Sequence, residues 1–243
     1  MTSRLRTCSR RLLAGLLLAI PLAAAPISGR VELRDSKDAA VRKGLDYSGV
    51  VVWLEPVNAA APAPKLANKA TMDQRDKAFV PHVLAIETGT QVSFPNSDPI
   101  FHNAFSNYNG QLFDVGLYPP GTSRSVRFGR PGIVRVFCNI HASMSAVIVV
   151  LNTPYYAVTG KDGTYRIPDV PPGTYTLHVF HERATQGELD KLQRMAGVDG
   201  SPQVLPVLTI SESGYLAIPH SNKFGHDYHD PPDERGVYPS GHK

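Results

Sequence analysis

Between Ala78 and Leu151 the chain repeats one pattern: short apolar runs, F-V-P-H-V-L-A-I, Q-V-S-F, S-V-R-F, I-V-R-V-F and A-V-I-V-V-L, broken by E-T-G-T, Y-P-P-G-T and G-R-P-G. Alternating or β-branched runs of this length suit pleated strands, and the Gly and Pro clusters reverse the chain between them. Few helices of ordinary length fit such spacing. The 21 prolines and 20 glycines among 243 residues extend the same tendency over most of the sequence. The expected fold class is therefore all-β, with the short strands closed into a Greek-key sandwich or barrel.

Strands are also expected upstream, at Ile27 to Leu33 and Gly49 to Leu54, joined by a polar segment. N-A-A-A-P-A-P-K-L-A-N-K reads as an exposed connector. Beyond Leu151, A-V-T-G-K-D-G-T-Y-R-I-P-D-V-P-P-G-T-Y-T-L-H-V-F-H-E predicts two strand pairs with K-D-G and P-P-G turns. E-L-D-K-L-Q-R-M predicts a short amphipathic helix and V-L-P-V-L-T-I a last strand. From about His220 the sequence is polar and aperiodic, and an extended or disordered tail is expected.

Arg4, Arg6, Arg10 and Arg11 precede an apolar run from Leu12 to Leu22 and then three alanines, the layout of a secretory signal. The run is short for a bilayer span, so the mature chain is expected without one. The paired arginines after Ser9 leave both general and twin-arginine export open, and Pro26, which sits badly just after a cut at Ala25, leaves Ala24 as an alternative cleavage position. Residues 1–25 hold 4 of the 25 basic residues and none of the 21 acidic ones, leaving 21 against 21. A nearly neutral mature chain gives no reason to expect nucleic acid or anionic membrane as partner. Cys8 leaves with the signal, so Cys138 is the one thiol of the exported protein and no internal disulfide can form. A free thiol in an oxidising compartment needs something to occupy it, and a metal does so.

The chemistry-bearing residues gather in two stretches. Cys138, His141 and Met144 stand in F-C-N-I-H-A-S-M, and His102 lies upstream in F-P-N-S-D-P-I-F-H-N. One thiolate, two imidazoles and one thioether form the donor set of a mononuclear type 1 copper site: three strong donors in a plane and a weak axial sulfur. Four protein donors leave no place for a substrate, which points to one-electron transfer rather than catalysis. Strand-flanking loops at one end of a sandwich would have to bring these stretches together.

On these residues, 78–151 resemble the cupredoxin family of small blue copper proteins, through G-T-Q-V-S-F-P-N, S-D-P-I-F-H-N, R-P-G-I-V-R-V-F-C and H-A-S-M. The C-x-x-H-x-x-M spacing is most similar to the short ligand loop of amicyanin, plastocyanin-type loops being longer. Residues 156–182 resemble the transthyretin-like domain found beside carboxypeptidases, through D-G-T-Y-R-I and V-P-P-G-T-Y-T-L. Together they are similar to exported two-domain proteins labelled methylamine utilisation proteins. The resemblance implies that His102, Cys138, His141 and Met144 are the copper ligands. It also implies that Asn103 ties the two ligand loops together, that Phe137 is the aromatic residue preceding the cysteine, and that the His141 edge is the electron port. The implied organisation is a signal peptide over 1–25, a cupredoxin-like domain with an N-terminal strand extension over 26–152, a smaller β-sandwich over 153–219 and a tail over 220–243.

The competing explanation of the ligand residues is a sandwich without metal, with Cys138 and Met144 as core filler. His82 is expected as a partly buried, hydrogen-bonded residue, and His178 and His181 at the edge of the second domain. His220, His226, His229 and His242 are expected as solvated, and Asp98 and Asp114 as turn formers. No H-x-H pair, second nearby cysteine, G-x-S-x-G, Walker-type loop or H-E-x-x-H occurs, so multicopper oxidase, binuclear copper, hydrolase and nucleotide-binding signatures are absent. The expectation is an exported non-enzyme that binds one type 1 copper and carries electrons between periplasmic partners such as a cytochrome or a dehydrogenase. Its rivals are a copper carrier or buffer without redox turnover, and an adhesive or carbohydrate-binding role for the second domain through Tyr155, Tyr156, Tyr165 and Tyr175.

Overall fold

The computed structural model describes residues 24–58, 68–107, 110–216 and 220–228. The export signal therefore lies outside the described residues apart from its last two positions, as do most of the Ala/Pro connector and His229 and His242. Among the described residues no helix is long and apolar enough to cross a membrane.

The chain is all-β. Its logic is clearest in the strand Ser145–Leu151, which is buried on both faces beyond its first residue. Successive side chains of a strand point to opposite faces. Ala146, Ile148 and Val150 accordingly enter one apolar cluster, with Val92, Phe94, Phe128, Val134 and Val136. Val147, Val149 and Leu151 enter another, with Val51, Val83 and Ala85. A continuous apolar run is what a strand with no wet face requires.

Four of the five sheets formed by the described residues stack in this way, the fifth being the pair Asp73–Arg75 and Ala78–Val80. The outermost joins Gln91–Pro95 to Ser123–Arg127 and, in parallel, to Lys69–Thr71. Across the Phe94 and Phe128 cluster lies a five-stranded sheet, in the order Val83–Glu87, Ser145–Leu151, Gly132–Phe137, Phe105–Ser106, Phe113–Asp114. Beyond the Val51 and Val149 cluster comes a third sheet, in the order Tyr156–Val158, Val51–Pro56, Gly173–Phe180, Arg194–Val198. A third apolar cluster, built on Ile27, Val52, Leu54, Ile167 and Leu177, separates it from the last sheet. There Ala25–Arg34 lies beside Thr164–Val170 and runs parallel to Gln203–Val204 and Leu208–Ser211. Each fully buried valine or isoleucine in these layers contributes about 1.5–3 kcal/mol.

Four expectations change. Residues 26–56, assigned from sequence to the copper-binding domain, pair instead with strands between 156 and 211. Val51–Pro56 shows why: Val52 and Leu54 fill the core shared with the C-terminal strands, while Val51 faces Val83, Val147 and Val149. A strand buried on both faces does not announce which neighbours it will join. Ala25, placed at the end of the signal, is the first residue of a strand, 4% exposed and opposite Val170. The helix expected over E-L-D-K-L-Q-R-M is confined to Gln186–Asp190, capped by the Thr185 side chain and anchored by buried Leu189. Arg194 and Met195 pass instead into a strand paired with Thr176 and Leu177. The last strand is split in two, because Pro206 has no N–H to offer the ladder.

Candidate metal centre

Pairing explains how stretches 36 residues apart in sequence meet. Phe137, the last residue of its strand, pairs with Phe105 on one side and Ser145 on the other. His102 stands three residues before Phe105 and is held by a two-way backbone bridge to Tyr118. Cys138 follows directly on Phe137, and the turn from Cys138 to Met144 is closed by Cys138 N–H to Met144 O at 3.2 Å and Met144 N–H to His141 O at 3.0 Å.

Three donor atoms converge. Cys138 Sγ lies 3.8 Å from His102 Nδ1 and 3.8 Å from His141 Nδ1, and all three lie within 4.8 Å of one another. Three donors ~2.2 Å from a common centre and 120° apart would be about 3.8 Å from each other, so the group has the dimensions of a metal's trigonal ligand plane. The His102 and His141 rings meet nearly edge to face at 4.9 Å. His102, Cys138 and Met144 are fully buried, whereas His141 is half-buried. Met144 shares its apolar cluster with Cys138.

The surroundings prepare these donors. Burial pushes the Cys138 thiol up, against the backbone N–H groups of Ile140, Asn103 and His141 that face the sulfur. A metal bound there would have to displace a proton, and the three N–H groups would then support the thiolate. Burial also draws His102 down, against the pull of Asp98. Burial opposes ionisation of Asp98, yet bonds from Lys77 N–H, His102 and Asp76 N–H outweigh it and hold its carboxyl below the usual range. An ionised carboxylate only accepts, so His102 Nε2 carries the proton that reaches Asp98 Oδ2 at 2.7 Å. His102 Nδ1 is left with its lone pair facing Cys138.

Asn103, 1% exposed, spans the two loops: its Oδ1 accepts from Asn139 N–H at 3.2 Å and its Nδ2 donates to Asp114 Oδ1 at 2.7 Å. Phe137 packs 5.9 Å from Phe105 and stacks on His220 at 4.1 Å.

The other histidines lie elsewhere. His82 meets Glu182 at 2.7 Å with its side chain 48% exposed, and His178 stacks on Trp53. His181, expected at an edge, is 2% exposed and bonds Glu212 at 2.9 Å. His220, expected to be solvated, is half-buried against Phe137, while His226 is exposed. Sequence missed the partnership of Asp98 with His102, although a four-residue separation within one loop is a usable hint. It also missed Asp114, Lys223 and Tyr228 as partners of the loops that carry His102 and Cys138, and no local pattern marks them.

Neither a protein-family model nor a curated protein matches the sequence. Among solved structures, the chain is similar to a copper-containing nitrite reductase from Thermus scotoductus SA-01, at 27% identity over 40% of this chain with a TM-score of 0.34. The match spans 25% of the reductase, about a quarter of its length. A purple cupredoxin from Nitrosopumilus maritimus is similar at 24% identity over 34% of this chain and 99% of its own, with a TM-score of 0.32. A reduced, Cu(I) amicyanin variant is similar at 19% identity over 41% of this chain and 98% of its own, also at 0.32.

Proposed function

We propose that this chain is an exported blue copper protein that passes single electrons between redox partners such as a cytochrome or a dehydrogenase, and is not an enzyme. The observation that carries the reading is the His102–Cys138–His141 group, two members buried and one half-buried, with 3.8 Å between sulfur and each nitrogen. One soft thiolate with two imidazoles suits copper, and buried Met144 in the same loop is assigned the weak fourth position. Bound copper would supply a Cu(I)/Cu(II) couple. The chain's own part is to hold the donors in place. Asp98 fixes the His102 ring, and Asn103 fixes the two loops against each other, so that little rearrangement accompanies a change of charge. His141 is the more exposed of the two imidazoles and is assigned the outward path for electrons. The arginine-led apolar start of the chain supports export to the periplasm or beyond. The strands of 25–56 and 156–211 form the accessory sandwich that we read as transthyretin-like.

The test is the absorption spectrum of Cu(II)-loaded protein. An intense visible copper–thiolate band, lost in Cys138→Ser, is expected. A colourless copper-replete protein would sink the proposal. Tight Cu(I) binding with slow electron exchange toward a cytochrome would favour a copper carrier instead.

A further inference from the structure

The peptide unit between Cys138 and Asn139 is gripped from two sides. Its N–H donates to Asn103 Oδ1 on the upstream ligand loop at 3.2 Å. Its carbonyl accepts a 2.6 Å bond from Tyr228 Oη, far along the chain. The segment bearing Tyr228 returns to the same loop through Lys223, whose backbone N–H donates to Asn139 Oδ1 at 2.9 Å. Lys223 Nζ meets Asp114 Oδ2 at 2.9 Å, and Asp114 Oδ1 is the acceptor for Asn103 Nδ2. The contacts close a ring: Asn103, Asp114, Lys223, Asn139 and back to Asn103. His220 adds an apolar hold, stacked 4.1 Å from Phe137 and edge-on to Tyr228 at 5.1 Å.

The segment has local structure of its own. Asn222 Oδ1 accepts from Phe224 and His226 N–H, and Gly225 N–H returns to Asn222 O at 2.9 Å.

We propose that residues 220–228 are a strap that serves as a third support for the metal pocket. Tyr228 and Lys223 are its positioning residues. They fix the Cys138–Asn139 peptide against Asn103 and so govern how firmly the His102–Cys138–His141 pocket keeps its metal. This rests on the copper reading for the identity of the metal, but the grip on the peptide is a property of the metal-free chain as well.

The experiment uses the full chain with Tyr228→Phe, which keeps the ring and removes the hydroxyl, and separately Lys223→Met. In metal-free protein, amide hydrogen exchange at Asn139 should quicken roughly fivefold in Tyr228→Phe, the loss of one ordinary hydrogen bond. In copper-loaded protein, removal of copper by a chelator should quicken about tenfold, with a displaced copper–thiolate band. Lys223→Met should move both readouts in the same direction, and it decides the matter should Tyr228→Phe fail to fold. Unchanged Asn139 exchange and unchanged copper release in a folded variant overturn the strap. A wild-type protein that takes up no copper overturns the copper reading alone, because Asn139 exchange still judges the strap.

Discussion

The carboxylate of Asp98 and the imidazole of His102 are four residues apart in the chain and 2.7 Å apart in space, with the carboxylate 8% and the ring 0% exposed. Two backbone N–H groups, from Asp76 and Lys77, donate to the same carboxylate and anchor it. A buried anion on the far side of a ligand imidazole fixes the ring and raises its basicity. Asp98→Asn should therefore weaken copper binding by about 10–100-fold in a competition titration. Its reduction potential should rise, since loss of a nearby negative charge favours the less positive metal ion. An unchanged potential would show that Asp98 acts only on folding.

Asn103 should matter for stability as well as for metal. Asn103→Ala would leave the Asn139 N–H without its acceptor and Asp114 without one donor, next to a fully buried cysteine. Such losses cost about 1–3 kcal/mol. Denaturant unfolding of the metal-free protein should report a loss of that order, and copper-loaded protein should also lose its metal faster.

Strong acid should act on a buried carboxylate outside the His102–Cys138–His141 group. Burial opposes ionisation of Glu212, but bonds from His181, Arg183 and Ser36 hold its carboxyl at about 2, against an ordinary 4.5. A carboxyl depressed by folding adds stability that is complete above its unfolded value and is lost as pH falls through its folded value. The window is thus pH 4.5 to about 2. The contribution is on the order of 3 kcal/mol. Thermal midpoints followed through this window should fall for the wild type and fall less for Glu212→Gln. Equal slopes would remove Glu212 from the account.

Metal should stabilise the fold, because the unfolded chain offers no gathered donors. At a free copper concentration of about 100 times the dissociation constant, the gain is roughly 2.7 kcal/mol. A rise in thermal midpoint on copper addition, reversed by chelator and missing in Cys138→Ser, is the expected outcome.

The strands beside the site were legible because their periodicity is local. Gln91–Pro95, Ser123–Arg127, Gly132–Phe137 and Ser145–Leu151 fall where alternating apolar runs predict them. The donor types were legible for a similar reason: Cys138, His141 and Met144 are close in sequence, and few cations suit that mixture. The partners of these groups were not legible. Asp114 and Lys223 are ordinary surface residue types, and nothing nearby in sequence says that they meet at 2.9 Å.

The amino-acid sequence by itself determined the all-β class, the turns and the soft donor set, since each follows from side-chain chemistry and spacing over a few residues. Only the tertiary structure decided that residues 25–56 join the C-terminal strands, that His102 and Cys138 come together, and that Tyr228 reaches the Cys138 carbonyl. Those outcomes depend on which buried faces and hydrogen-bonding edges find each other across long stretches of chain. Loop closure grows only slowly more costly with length, so distance along the chain does little to narrow that choice.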